Sequence, residues 1–306
     1  MTSPGSGARV SAVVVSFNTR DDTLRCLRSL RQQTVPPAEI VVVDNASQDG
    51  SVDAIRTGFR DVVLLALDAN AGYGAANNRA LARVRTPYAL LVNSDAELHP
   101  GAVEALTLHL DAHAQVAAAG PRTLNSDGTP QLSWGPRLTL LSEWRHRRWR
   151  RAVANGRAWA CGRLTALTQR THAPDWLSGS CLLIRMESLR QVGFFDEGYF
   201  LYEEDADLCL RLRRARWTLA FAPEAEVVHH GGRSAKTTPE PARLEYHRSH
   251  LRYYQLHNGA FQTTLLRGWL LGRAVIGWLL ARGGDEAPAT RRHWRAVAGL
   301  ALGRLR

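Results

Sequence analysis

Residues 10–17 form a continuous apolar run rich in valine, and the period then changes. Asp21 and Asp22 stand where a helix would begin, Leu24, Leu27 and Leu30 follow at helical spacing, and Pro36 with Pro37 closes the segment. A second apolar run at 40–43 precedes a helical stretch carrying Val52 and Ile55. A third run at 62–67 precedes a helix over about 73–84, and a fourth lies at 88–92. None of the four alternates clearly between apolar and polar, as a half-exposed strand would. Strands of that kind are buried on both faces, which predicts an α/β fold with a mostly parallel sheet flanked by helices.

The pattern loosens after Gly120. Residues 121–136 read as an irregular loop, and 143–151 alternate arginine with Trp144 and Trp149 in what could be an excursion over a substrate. Order returns at 175–185, with a short helix near 187–192, a segment at 194–202, a helix over about 204–216, and short strands near 218–221 and 227–229. From about residue 241 the chain reads as helical. Residues 265–280 are apolar but carry Arg267 and Arg273, which suits an amphipathic or packing helix better than a membrane span. The expected organisation is a catalytic domain at 1–240, with a nucleotide-binding half (9–120) and an acceptor-binding half (121–240), and a basic helical extension at 241–306.

Charge adds a constraint. The net charge is +11, Lys236 is the only lysine, and the arginines concentrate in 137–170 and 243–306. Such patches attract phosphate of any owner, whether nucleic acid, anionic lipid or a diphosphate-linked substrate. The four cysteines lack CxxC spacing and read as reduced packing residues. Residues 1–9 are a short polar lead without the features of a signal peptide, which sets the expectation of a cytoplasmic protein, with a peripheral position at the inner face of the cell membrane left open.

In open parallel sheets ligands bind beyond the carboxyl ends of the strands. Here those positions hold Asn18, then Asp44 and Asn45, then Asp68 and Asn70, then Asn93 and Asp95. No Gly-rich fingerprint follows the first strand, where 16–20 reads Ser-Phe-Asn-Thr-Arg, which argues against a nicotinamide or flavin Rossmann enzyme. The same segment lacks the basic phosphate loop of a sugar-1-phosphate nucleotidyltransferase. Asp44 could accept a hydrogen bond from a uracil or thymine ring, or cap a helix. Asp95 offers the hard oxygen that Mg²⁺ or Mn²⁺ prefers, and His229, ending an apolar strand, could complete that site. Arg233, Ser234 or Lys236 could reach a diphosphate. Residues 203–207 place four carboxylates in five positions, more than a helix dipole explains, so at least one should meet a cation or a proton. Asp205 is the candidate base. No nucleic-acid motif accompanies the arginines, and the acidic cluster would repel a phosphate backbone.

Several segments, in order, resemble glycosyltransferase family 2 and its bacterial rhamnosyltransferase-like branch: 13–18 (VVVSFN), 43–51 (VDNASQDGS), 70–78 (NAGYGAANN), 93–95 (NSD), 176–179 (WLSG), 194–197 (FFDE) and 204–211 (EDADLCLR). The resemblance covers roughly residues 9–234. It implies a GT-A type nucleotide-diphospho-sugar transferase fold, Mg²⁺ or Mn²⁺, and inversion by single displacement. It puts Ser16, Asn18, Asp44, Asn45, Asn70, Gly72, Asn93 and Arg233 on the donor side, and Trp176, Gly179 and Glu204 on the acceptor side. Asp95 and His229 then serve the metal, and Asp205 is the base. Asn93 stands where the family usually has the first aspartate of its DxD motif, which implies weaker metal affinity. The donor implied first is dTDP-L-rhamnose and next a UDP-sugar. The acceptor is a hydroxyl on a glycan, a lipid-linked sugar or a natural product. The competing readings are a nucleic-acid- or anionic-lipid-binding protein on a catalytically degenerate copy of the fold, and the nucleotidyltransferase.

Overall fold

A computed structural model of the chain describes residues 9–231, 239–281 and 287–304. The first half alternates as its pattern requires: β1 (Val10–Ser16), α1 (Arg20–Arg31), β2 (Glu39–Asp44), α2 (Ser51–Gly58), β3 (Val63–Ala66), α3 (Tyr73–Leu81) and β4 (Tyr88–Asn93). There follow β5 (Ala96–Leu98), α4 (Ala102–Ala112), β6 (Val116–Leu124), β7 (Pro130–Gln131), β8 (Trp134–Gly135), α5 (Leu140–Ala154), α6 (Ala158–Thr168), β9 (Trp176–Leu177) and β10 (Cys181–Arg185). The remainder is α7 (Met186–Val192), α8 (Glu204–Arg214), β11 (Thr218–His229), α9 (Pro239–His257), α10 (Gly259–Leu280) and α11 (Ala287–Ala301).

Among the described residues one nine-stranded sheet runs in the order β3-β2-β1-β4-β10-β6-β11-β5, with β7 paired to β6. Strands β1 to β4 are mutually parallel where they pair, β6 is parallel to β11, and β10 runs antiparallel between β4 and β6. The sheet is therefore mixed at its centre. Alternate residues of each strand serve opposite faces: Ala12, Val14, Val42 and Leu90 pack on Leu27 and Leu30 of α1 and Leu106 of α4, whereas Val13, Val41 and Leu91 pack on Ala76 and Ala80 of α3 and Leu208 of α8.

Three expectations change. Residues 121–124 continue β6 rather than forming a loop, and β7 folds back with Gln131 opposite Thr123. Pro121 is tolerated because β10 stops pairing at Ala119, so no ladder bond is demanded of its missing N–H on that side. The two short strands expected at 218–229 are one strand with an irregularity between Ala222 and Glu226, where Pro223 cannot hold the ladder. Strand β3 is only half-buried, because it is the sheet edge.

The C-terminal helices pack onto α8. Tyr199, Ala206 and Leu210 share a core with Leu251, Tyr253 and Tyr254 of α9, Leu266 and Leu270 of α10 and Val297 of α11. On the far side of the same region, Gly72 holds φ +86° and lies against the Phe200 backbone, whose carbonyl accepts the Tyr73 N–H at 2.9 Å. A Cβ at Gly72 would collide with that carbonyl. Gly72→Ala is expected to lower stability by about 2–3 kcal/mol, from backbone strain plus displacement of the 200 loop. An unchanged urea midpoint would mean that the loop yields freely.

Candidate active site

Parallel register sets Ser16 beside Asp44 and Val15 beside Asn93, so the polar residues that end β1, β2 and β4 emerge along one edge of the sheet. Asp44 is fully buried there. Its Oδ1 accepts the Ser47 N–H at 2.8 Å, closing a turn, while Oδ2 is buried without a partner among the described residues. Leaving a buried carboxylate oxygen unsatisfied is costly, and a ligand N–H is the kind of group that relieves it. The neighbours build the frame around that oxygen. Asn45 donates to Asn70 Oδ1 at 2.8 Å and accepts the Ala71 N–H at 2.8 Å, and Asn70 Oδ1 also takes the Gly72 N–H at 3.0 Å. Asn18, in the left-handed region at φ 51°, accepts the Gln48 N–H at 2.8 Å. The Ser16 hydroxyl is turned inward onto Thr23 at 2.9 Å.

A second group gathers at the end of β4. His229 Nε2 lies 3.2 Å from Asp95 Oδ1 and 3.4 Å from Asn93 Nδ2. Its other nitrogen is set by Gln131. The Gln131 amide nitrogen donates to Asn125 Oδ1 at 2.9 Å, which turns its Oε1 onto His229 Nδ1 at 2.7 Å. In the neutral ring the proton is therefore on Nδ1, and the Nε2 lone pair faces the Asp95 carboxylate. Two acceptors so close repel unless a cation bridges them or the ring takes a second proton and pairs with the carboxylate. Next to them, His230 bridges Glu97 and Ser126, each at 2.7 Å, and anchors the end of β11. Arg233, Ser234 and Lys236 lie outside the described residues.

The third group is reached through the backbone. Asn93 donates its N–H to the Ser180 carbonyl at 2.9 Å, and the adjoining Gly179 donates its N–H to Asp205 Oδ2 at 3.0 Å. The Gly179 carbonyl accepts from the Tyr73 hydroxyl at 2.8 Å, and a Cβ on Gly179 would press on that hydroxyl. Trp176, in β9, lies against Gly135 of the facing strand, where only glycine leaves room for the indole. Burial, opposed by the Gly179 bond and reinforced by the charge of Glu203, pushes Asp205 up to about 6. Glu204, nine-tenths buried with an unpartnered Oε2, is raised well above the ordinary carboxyl range by burial and by the Asp205 charge.

The acidic run that looked self-repelling is dispersed by partners distant in sequence. Tyr202 (φ 72°) and Glu203 (φ 65°) are consecutive left-handed residues at the start of α8, a strained corner for side chains with a Cβ. Glu203 is held by His250 Nδ1 at 2.9 Å, and His250 Nε2 lies 3.4 Å from Glu143, which also accepts from the Tyr254 hydroxyl at 2.6 Å. Burial opposes charging of His250, but the bond and charge of Glu203, with Glu143, outweigh it and raise its pKa. Asp207 is bound by Arg211 at 2.7 Å and His257 at 2.6 Å, which hold it below its usual value despite burial. Gln131, Tyr73, Glu143 and His250 were not singled out in the sequence, because their partners lie 98, 106, 111 and 47 residues away.

The family described as Glycosyl transferase family 2 matches residues 11–193. The chain belongs to that family. It is 32% identical over 288 residues to N-acetylglucosaminyl-diphospho-decaprenol L-rhamnosyltransferase of Mycobacterium tuberculosis, covering 86% of this chain and 91% of that one. It is 45% identical to the rhamnosyltransferase WbbL of Escherichia coli over 56 residues, 18% of this chain and 21% of the other. The solved mannosyltransferase of Pyrobaculum calidifontis, in complex with GDP-Man and Mn²⁺, superposes with a TM-score of 0.57 at 17% identity, over 98% of this chain and 88% of that one. The protein is a family 2 glycosyltransferase with a GT-A fold.

Because Asp205 titrates near 6 rather than 3.8, the folded enzyme holds a proton that the unfolded chain releases between those values. Its carboxylate therefore costs stability above that window, and the cost disappears as pH falls through it. Asp205→Asn is expected to be more stable than the parent at pH 7.5 by on the order of 1–2 kcal/mol, with the gain shrinking as pH falls through about 6 and gone by about pH 4. Denaturation at the two pH values checks this; no gain at pH 7.5 would show that the carboxylate is not strained by burial.

Proposed function

We propose that this glycosyltransferase transfers L-rhamnose from dTDP-L-rhamnose, with inversion at the anomeric carbon, to a hydroxyl of a glycan or lipid-linked sugar. The donor sugar and the lipid-linked acceptor are supported by the mycobacterial rhamnosyltransferase, similar over most of both chains. The chemistry is carried by one observation: the Asn93–Ser180 backbone bond and the Gly179–Asp205 bond join a carboxylate of raised pKa to the edge of the sheet that bears Asp95, His229 and Asp44. Residues 9–120 would form the nucleotide half, 121–240 the acceptor half, and 241–306 a basic extension.

In this reading the unsatisfied Asp44 Oδ2 accepts the ring N–H of thymine, and the Asn45, Asn70 and Gly72 frame shapes the pocket, with Ser16 and Asn18 bracing it. Asp95 and His229 would hold Mg²⁺ or Mn²⁺, assisted by the Asn93 amide. No group of three or more His, Cys, Asp or Glu side chains suited to a metal occurs among the described residues, so such an ion would take further ligands from diphosphate and water. Bound there, it would neutralise charge on the departing diphosphate. The Nε2 lone pair turned toward Asp95 is the feature of this chain that fits a cation. Arg233 is assigned to the diphosphate as well.

Asp205 removes the proton of the acceptor hydroxyl as its oxygen bonds to the anomeric carbon, while the bond from that carbon to the diphosphate oxygen breaks. One displacement inverts the centre. A base with a pKa near 6 is mostly ionised at neutral pH yet still basic enough to take the proton. Glu204, whose pKa is raised by burial and by the Asp205 charge, turns its unpartnered Oε2 to the acceptor, and Gly179 and Trp176 line the same side. We place the enzyme at the cytoplasmic face of the membrane, in peripheral contact. The lipid-linked acceptor named for the relative and the arginine-rich helices support this, and no helix among the described residues is long and apolar enough to cross a bilayer.

Thermal unfolding with dTDP, UDP, GDP and ADP, each with and without Mn²⁺, tests the donor site. A nucleotide at about a hundred times its Kd should stabilise the fold by roughly 2.7 kcal/mol. Stabilisation by dTDP with Mn²⁺ but not by ADP is expected, and Asp95→Ala should lose the metal-dependent part alone. Equal losses with and without Mn²⁺ would remove Asp95 from metal ligation. For transfer, Asp205→Asn is expected to lower kcat by about 10²–10⁴ while dTDP binding holds, and the parent's activity should fall below about pH 6 as the base protonates. Robust transfer by the variant would move the base elsewhere.

A further inference from the structure

Helix α10 is apolar on two sides. Leu266, Leu270 and Ala274 are buried against the neighbouring helices, whereas Phe261, Leu265, Trp269 and Ile276 are exposed, at 76, 47, 43 and 58%. The exposed set recurs at helical intervals and forms one stripe along a 22-residue helix, continued by Leu280. Helix α5 extends it sideways. The Leu140 N–H donates to Gln262 of α10 at 3.3 Å, and the Arg147 guanidinium lies 5.5 Å from the Trp269 ring, so exposed Leu141 and Trp144 adjoin the stripe.

Charge separates this face from an ordinary apolar patch. Residues 137–170 contain nine arginines and one acidic residue, Glu143, which points inward to Tyr254 and His250. Arg145 and Arg148 of α5 are exposed, and Arg273 lies 4.8 Å from the Trp269 ring. Aromatic and aliphatic side chains flanked by guanidinium groups match the boundary between lipid headgroups and acyl chains, where rings partition and arginines bind phosphate. A second copy of this chain fits poorly, because a two-fold interface would set the same arginines against one another.

We propose that the face formed by α5 and α10 seats the enzyme on an anionic phospholipid surface. Trp144, Trp269 and Phe261 enter the headgroup region, and Arg145, Arg148 and Arg273 engage lipid phosphates. Trp144 follows Glu143, which contacts the His250 that holds Glu203 two residues from Asp205, so helix α5 is linked through side chains to the segment that carries Asp205. Its use in presenting a lipid-borne acceptor rests on the function proposed above; the docking itself does not.

The test is co-sedimentation of the full chain with vesicles of phosphatidylglycerol mixed into phosphatidylcholine, against phosphatidylcholine alone, over a range of salt. Binding to the anionic vesicles, weakened by salt, is expected. The pairs Phe261→Ser with Trp269→Ser, and Arg145→Glu with Arg148→Glu, should each weaken it at least about tenfold. Melting with dTDP and Mn²⁺ shows that the variants remain folded. Parent protein that ignores lipid charge, variants that bind like the parent, or a dimer in sedimentation that the serine pair dissolves would each overturn the proposal. Failure of dTDP to bind the parent would instead count against the donor reading and leave the docking result standing.

Discussion

The backbone hydrogen bond from the Asn93 N–H to the Ser180 carbonyl ties the end of β4 to the segment that carries Gly179 and, through it, Asp205. It exists because β10 enters antiparallel beside β4, so the turn that begins β10 lies at the carboxyl end of β4. A sheet built only from parallel crossovers would have brought another strand end to that place. Here the reversal delivers Gly179 and Ser180 instead, and with them Asp205. The distance from Asp44 and Asp95 to Asp205 is thus set by strand pairing, the least compliant part of the fold.

Around that joint the molecule accepts strain and desolvation and offsets them with partners from elsewhere. Tyr202 and Glu203 adopt left-handed backbone, Glu204 is buried with an unsatisfied oxygen, and Asp205 sits with its pKa raised. Glu203 and Asp207 are compensated by His250 and His257, both from α9. Compensation at the flanks leaves the central pair, Glu204 and Asp205, as the carboxyls of raised pKa. Such local conflict with what a stable fold prefers is the mark of a functional site.

The first four strands and their helices were legible because continuous apolar runs and helical spacing are local signals, and the polar residues at their ends followed from topology. Residues 121–136 and the continuity of 218–229 were not, although the helices near 187–192, 204–216 and after about 241 were. Pro121 and Pro223 hide strand continuity, and β7 and β8 are too short to carry a period. Asp44, Asp95, Asp205 and His229 stood out as residue types at strand or helix ends. What orients them did not, since Gln131 reaches His229 across 98 positions and His250 reaches Glu203 across 47. Pairings of that kind exist only once the chain has folded.

Helix α9 supplies the histidines that balance the charges flanking Asp205, and it packs in the same core as α10. The carboxy-terminal segment therefore cannot be exchanged as an independent module. A chimera that borrows these helices from a relative would also change the counter-charges on Glu203 and Asp207. The packing of the C-terminal helices and the charge balance around Asp205 are thereby tied together in this architecture, and divergence in one carries the other along.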